Sequence, residues 1–303
     1  MTQATKPTAD TVQHVINSLL RHATGDPTGP GIRPVAAGNG CSAWWVGNHH
    51  VLRLAPDREA ALRQRRELRL RDLVRPHLPV AVPAGVAHGE WAPGLTYTLD
   101  IKVPVETEQQ HNVSTAGEDD LAAVLIGLRR VSVRQAEGLG VPRVAPRSLK
   151  ALLQAAEWAV ERLGANDEFD PAWLQQRTGP AAVRLADRPG ATVLVHRALT
   201  GEHVAVGADG RVRGILGWGN AAIGDPCEDI SALAAAVGAP VAVRAATLAG
   251  YSLGSCLRGL WLARCDTVIR LAEALDRADA GRLALLRVSL RHAWEAILLE
   301  RLA

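Results

Sequence analysis

Seven residues able to do chemistry crowd into one stretch: His196, Arg197, Glu202, His203, Asp209, Asp225 and Asp229. Two imidazoles could offer a general base or nitrogen ligands for a transition metal. No third ligand stands at metal-site spacing, so no metal is expected. A packing role for His196 and an incidental His203 is the favoured reading. Arg197 could clamp an anion, and Glu202 could act as an acid or base. Asp209 falls in Gly207-Ala208-Asp209-Gly210, a hairpin turn rather than a site. Asp225 and Asp229 open an apolar helical run, where a carboxylate satisfies the free N–H groups of the first turn. Upstream lie a glycine-rich turn with Gly38 and Gly40, Arg53 within Val51-Leu52-Arg53-Leu54, and Glu67 within a long helical run.

The elements that must position these groups fall into two blocks. Residues 10–23 have a helical pattern after a cap at Asp10. Residues 43–46 and 51–54 flank Gly47-Asn48 and read as a hairpin. Residues 58–74 are a strong helix pattern stopped by Pro76, and 80–86 and 95–103 complete a small antiparallel sheet. Residues 106–120 are polar and read as a loop or linker. Helical runs then dominate: 121–131, 149–163, 172–176, 227–237, 241–274 with a break, and 280–302. They are interrupted by a short β-rich insert that starts at residues 192–195. The expected organisation is an N-terminal helix plus small lobe over 1–105 and a large lobe over 106–303. No internal repeat or low-complexity segment is present.

Composition narrows the partners. The 303 residues carry a formal net charge of +3, with 48% hydrophobic and 21% charged side chains, as in an ordinary globular chain. The arginines at 63, 65, 66, 69 and 71 alternate with Glu59, Glu67 and Asp72, which reads as a solvated helix face and not a nucleic-acid patch. No apolar stretch is long enough to span a bilayer, so no membrane partner is expected. Cys41, Cys227, Cys256 and Cys265 form no C-x-x-C pair and read as buried thiols. With nothing resembling a signal peptide, the expected location is the cytoplasm. Only three of the 34 basic residues are Lys, which fits a GC-rich bacterial genome.

His196-Arg197-Ala198-Leu199, with His203 four residues on, resembles the H-G-D-L-x-x-x-N loop of the aminoglycoside phosphotransferase family of kinases. Ile215-Leu216-Gly217-Trp218, running on to Gly224-Asp225-Pro226 and Asp229, resembles its I-D-W-x-x-A-x-x-G-D-P-x-x-D segment. Gly38 and Gly40 match the phosphate-covering turn. Arg53 matches the strand residue that pairs with phosphate, and Glu67 its helix partner. The resemblance spans roughly residues 30–300. It implies an α+β, bilobal protein-kinase-like fold, with a small β-rich lobe holding one long helix and a larger helical lobe. It also implies that Asp225 and Asp229 cap a helix and brace the loop.

Within that frame the chemistry has gone. Ala198 stands where the family has its catalytic Asp, His203 where it has a metal-binding Asn, and Gly217 where it has the second metal-binding Asp. Phosphoryl transfer depends on magnesium and on a group that orients the nucleophile. Magnesium wants hard oxygen ligands, which neither glycine nor imidazole supplies. No cofactor is expected, although ATP could bind without magnesium through Arg53 or Arg197. The resemblance therefore implies a pseudokinase that binds a peptide, a partner protein or a small molecule, with a bacterial natural-product pathway as one setting. The alternatives are a repurposed enzyme using His196, Arg197, Glu202 or His203, for example to eliminate an installed phosphate, and a residual small-molecule kinase. Asp266, Glu273, Asp276 and Asp279 alternate with arginines, so a charge-mixed face is expected there and not an aminoglycoside site.

Overall fold

A computed structural model describes residues 7–20, 31–35, 42–103, 112–177, 191–277 and 280–297. The chain divides into a small unit, Met1–Arg75 with Ala81–Pro104, and a large unit, Pro76–Val80 with Val105–Ala303.

In the small unit, helix α1 (Ala9–Leu20) precedes strands β1 (Ile32–Pro34), β2 (Ser42–Val46) and β3 (His50–Leu54). Helix α2 (Arg58–Val74) and strands β4 (Gly85–Ala92) and β5 (Leu95–Ile101) follow. The strands form one antiparallel sheet in the order β1-β2-β3-β5-β4. Val12, Val15 and Ile16 of α1 share a core with Leu52, Leu54 and Leu99 of the sheet. The Asp57 carboxylate accepts the Ala60 N–H and starts α2. Seventeen residues without Gly or Pro then carry it to Val74. Its buried face includes Gln64, Glu67 and Arg71. The polar edge of β5 sits opposite it, with Thr96, Thr98 and Asp100 all buried.

Several boundaries differ from the sequence reading. Helix α1 begins before Asp10, and the Thr8 hydroxyl, not Asp10, accepts the Thr11 N–H. The strand expected at 80–86 lies at Gly85–Ala92. Arg71 is 2% exposed, so the arginine-rich helix is not solvated all round. The expected glycine turn, with Gly38 and Gly40, lies outside the described residues, as does Cys41.

The large unit holds α3 (Thr115–Arg130), α4 (Val133–Gly138), α5 (Leu149–Gly164), α6 (Pro171–Arg177), α7 (Cys227–Val237), α8 (Ala239–Leu248), α9 (Leu253–Asp276) and α10 (Ala280–Trp294). Helix α3 starts six residues earlier than the apolar periodicity suggests, because the Ser114 hydroxyl caps it. The short α4 lies in a stretch to which the sequence reading assigned no element, and Gly250 divides α8 from α9. Two hairpin-like pairs carry the loops of interest. Strand β6 (Val193–Val195) pairs with β9 (Ala222–Gly224), and β7 (Val204–Val206) with β8 (Val212–Ile215). Arg211 and the Val212 N–H both donate to the Asp120 carboxylate, tying the β7–β8 turn to α3.

Helix α9 is the central element, packed on α5, α7 and α10. It crosses α7 at Gly259, where an added Cβ would stand 2.5 Å from Ile230 Cγ2 and 3.3 Å from the Cys227 carbonyl oxygen. Overfilling a tight crossing typically costs about 1–3 kcal/mol. Gly259→Ala is therefore expected to lower the thermal unfolding midpoint, whereas Gly138→Ala, with nothing within 4 Å, leaves it within about 0.5 kcal/mol.

Candidate functional site

Strand β6 leads straight into His196, whose ring is fully buried and meets the Trp218 ring edge-on at 4.6 Å between centroids. Trp218 is itself buried and donates its indole N–H to the Ile215 carbonyl. His196 is thus a packing residue between the two loops. The backbone N–H groups of His196 and Arg197 both donate to the Asp229 carboxylate, at 2.9 and 2.7 Å. Burial pushes the Asp229 carboxyl up to about 7, against the pull of those two donors.

Asp225 is equally occupied. One oxygen accepts the Cys227 N–H at 3.0 Å, and the other takes the buried Arg258 guanidinium at 2.6 Å. Arg258 also donates to the Arg147 carbonyl, and the Arg147 side chain binds Glu228 and Asp266. Asp225 accepts the first N–H of α7, and Asp229, inside its first turn, braces the loop, so both carboxylates are occupied.

Arg197 adopts a left-handed backbone, with φ 61°. Its guanidinium is exposed and makes no hydrogen bond or salt bridge among the described residues. Ala198 is 7% exposed, and its carbonyl accepts the Nδ1–H of His203 at 2.8 Å. That bond fixes the proton on Nδ1 of the neutral ring and leaves a lone pair on Nε2. The loop turns back on Thr200, whose carbonyl accepts the N–H groups of His203 and Val204. Leu216 N–H then donates to the His203 carbonyl, which aligns His203 beside the second loop. Glu202, one residue earlier, points to solvent.

Gly217 is the other half of this contact. A Cβ there would lie 2.4 Å from both Cδ2 and Nε2 of His203. Its left-handed φ of 77° alone would admit Asp or Asn, which tolerate that region. What excludes a side chain is the imidazole. The two positions that match metal ligands are packed into each other.

The residues matching the phosphate-pairing base and its helix glutamate lie in the small unit. Arg53 Nη1 reaches both Glu67 oxygens at 3.1 Å, and its Nη2 lies 3.1 Å from Asp100. Arg71 closes the square, bonding Glu67 and, at 2.9 Å, Asp100. Gln64 braces it through the Arg53 carbonyl and Thr98. Glu67 is fully desolvated, yet Arg53 and Arg71 together hold its carboxyl down at about 2. Sequence reasoning does not find Arg71 and Asp100 as members of this square. The i+4 spacing of Arg71 from Glu67 was the available signal, and Asp100 had none.

The sequence profile described as the phosphotransferase enzyme family (APH) matches residues 31–293. The chain belongs to this family. Solved structures share the fold at low identity. The GDP complex of wild-type aminoglycoside 2'-phosphotransferase-IIIa aligns with a TM-score of 0.67 at 19% identity, covering 94% of this chain and 98% of that one. The GDP and kanamycin complex of APH(2")-IIIa gives 0.68 at 18%, covering 93% and 98%. Macrolide 2'-phosphotransferase MphH from Brachybacterium faecium gives 0.60 at 22%, covering 93% and 98%. A comparison with curated protein sequences gives no match. The architecture is the bilobal kinase-like one of these phosphotransferases.

Among the described residues of this phosphotransferase-family chain, no group of three or more His, Cys, Asp or Glu side chains could hold a metal ion. Of the acids weighed as substrate contacts, Asp266 is tied to Arg147 and Asp276 to Arg162, Glu273 is exposed, and Asp279 lies outside the described residues.

Three outcomes follow. Glu67 has its pKa lowered on folding, so it stabilises the protein above about pH 4.5, and that contribution is lost as pH falls toward about 2. Acid unfolding of Glu67→Gln should be flatter across this window than that of the parent, while Arg71→Met, which leaves two buried carboxylates to share the single Arg53 guanidinium, should cost about 3 kcal/mol at neutral pH. A non-glycine residue in the left-handed region costs about 1–2 kcal/mol, so Arg197→Gly should melt above Arg197→Ala, both variants having lost the same guanidinium.

Proposed function

We propose that this chain is a catalytically degenerate member of the phosphotransferase family, kept as a binding module and not as a magnesium-dependent kinase. The observation that carries the reading is the packing of the His203 imidazole onto Gly217. It fills the space a metal-binding Asp would need, and it is fastened there by the Nδ1 hydrogen bond to Ala198. Ala198 supplies no base. The nearest carboxylates are spent, Asp225 on Arg258 and Asp229 on the loop backbone, so no rescue by a displaced ligand is supported.

Arg53 sits between two carboxylates in a square of two positive and two negative charges. Its charge is neutralised locally, which weakens it as a phosphate partner. Arg197, exposed and without an ion pair among the described residues, is the better candidate for an anion. If a nucleotide binds, it does so without magnesium and through Arg197. The module's partner would be a peptide, a protein or a small molecule. A bacterial natural-product pathway is one setting that the family resemblance suggests.

One alternative has an observation in its favour. Fixing the His203 tautomer leaves Nε2 able to take a proton, as a repurposed general base would require. In that case His203→Ala would abolish turnover of a phosphorylated substrate by elimination while leaving stability intact.

The decisive experiment is calorimetric titration with ATP, with and without magnesium. No magnesium-dependent binding is expected from the parent chain. Gly217→Asp alone should stay inactive, since its side chain must first displace the His203 ring. The triple reversion Ala198→Asp, His203→Asn, Gly217→Asp should gain magnesium-dependent binding. Magnesium-dependent ATP turnover by the parent chain would overturn the reading.

A further inference from the structure

Helix α5 buries one face and packs on α9, with Leu149, Ala156, Ala159, Val160 and Leu163 turned inward. Its outward face carries a residue out of place in water. Trp158 is 75% exposed, more than any other large apolar side chain among the described residues. Tryptophan is enriched among the few side chains that dominate interface energies.

The surroundings of Trp158 are ordered. Ala151, Gln154, Trp158 and Glu161 follow one another at spacings of three, four and three residues, so they form one straight line along the helix. All four are exposed. Ala151 carries only a methyl group and leaves a shelf on the line that Trp158 stands on. Lys150, Glu157 and Glu161 are also exposed, and none has an ion-pair partner among the described residues.

An independent observation is the order of these charges. The cation stands in the first turn of α5, and the carboxylates stand in its third and fourth turns. The helix dipole favours the reverse order, with acids first and bases last. The arrangement is unfavourable for the lone helix and complementary to a second helix running the opposite way.

We propose that the outward face of α5 is a self-association surface, on which a second copy of this chain lays its own α5 antiparallel about a twofold axis. In such a pair one patch serves both copies, so it must complement itself. With the axis passing between Gln154 and Ala155, Trp158 packs over Ala151 of the partner subunit. Lys150 and Glu157, seven residues apart, share one flank of the line, and the twofold brings like flanks together. Lys150 then lies between Glu157 and Glu161 of the partner subunit, and the symmetry repeats every contact. The 16 residues of α5 span about 24 Å. A single helix pair of that length stands at the low end of specific interfaces, so the dimer is weak, with a dissociation constant on the order of 10–100 µM. None of these residues belongs to the 196–203 loop or is Gly217, so the inference stands whether or not the chain is a kinase.

Sedimentation velocity of the full chain tests this between about 1 and 500 µM, a range that brackets the expected constant. The weight-average coefficient should climb from the monomer toward the dimer and stop there, because a twofold pair is closed. Trp158→Ser and Ala151→Arg, both at exposed positions, should each weaken association at least about tenfold with an unchanged thermal midpoint. Lys150→Glu should melt no lower than the parent, since it improves the helix charge order, yet associate more weakly. The double variant Glu157→Lys, Glu161→Lys should also associate weakly by itself. Mixed in equal amounts, the Lys150→Glu chain and the double variant should recover the parent's association, because every charge contact is then opposite in sign again. A constant monomer coefficient, assembly beyond a dimer, full association of Trp158→Ser, or a mixture no better than its components would each overturn the proposal.

Discussion

The first turn of α7 is the constraint on which the large unit's chemistry-bearing loops depend. Asp229 gathers the backbone N–H groups of His196 and Arg197, and Asp225 pairs with buried Arg258. These two carboxylates, four residues apart, link the start of α7 to the loop after β6 and to the second turn of α9. Removing a partner from such a buried pair leaves an uncompensated charge, which costs far more than the intact pair contributes. This explains how the loop can keep its path with Ala198 and Gly217 in it. Its shape is held by backbone donors and acids outside the reacting positions.

With the path fixed, the altered positions settle into one another. A small residue at 198 leaves a carbonyl that can take the His203 Nδ1–H, and a glycine at 217 leaves room for the ring. Two changes that each look like a loss are sterically one arrangement. The same economy governs the small unit. There Arg71 and Asp100 turn a family-like Arg53–Glu67 pair into a closed, nearly neutral square that ties β3, α2 and β5 together. Charges that could meet a phosphate are used to hold the sheet to its helix.

Much of this was legible in the sequence. The limits of α2 and α7 follow from uninterrupted helical periodicity, from Asp57 before α2, and from Pro76 and Pro226 at the boundaries. The bracing role of Asp225 and Asp229 follows from their place at a helix start. Strand β4 was misplaced because residues 80–86 are apolar while Gly85–Ala92 mixes Gly, His and Glu. Its pairing comes from β5 and not from its own pattern. Helix α3 began early because a single hydroxyl, Ser114, outweighed the polarity of the residues after it.

The sequence by itself determined the family frame and most helix limits, because these depend on local periodicity and on residue types at fixed spacing. Only the tertiary structure decided where the remaining polar groups spend their bonding capacity. Arg258 reaches Asp225 across 33 residues, Asp100 reaches Arg53 across 47, and the His203 ring covers Gly217 from the neighbouring hairpin strand. Trp294 and Phe169 meet across more than a hundred residues to wall a cavity. Such contacts are set by how helices cross and strands pair, and that geometry leaves no trace in the spacing of the residues that make them.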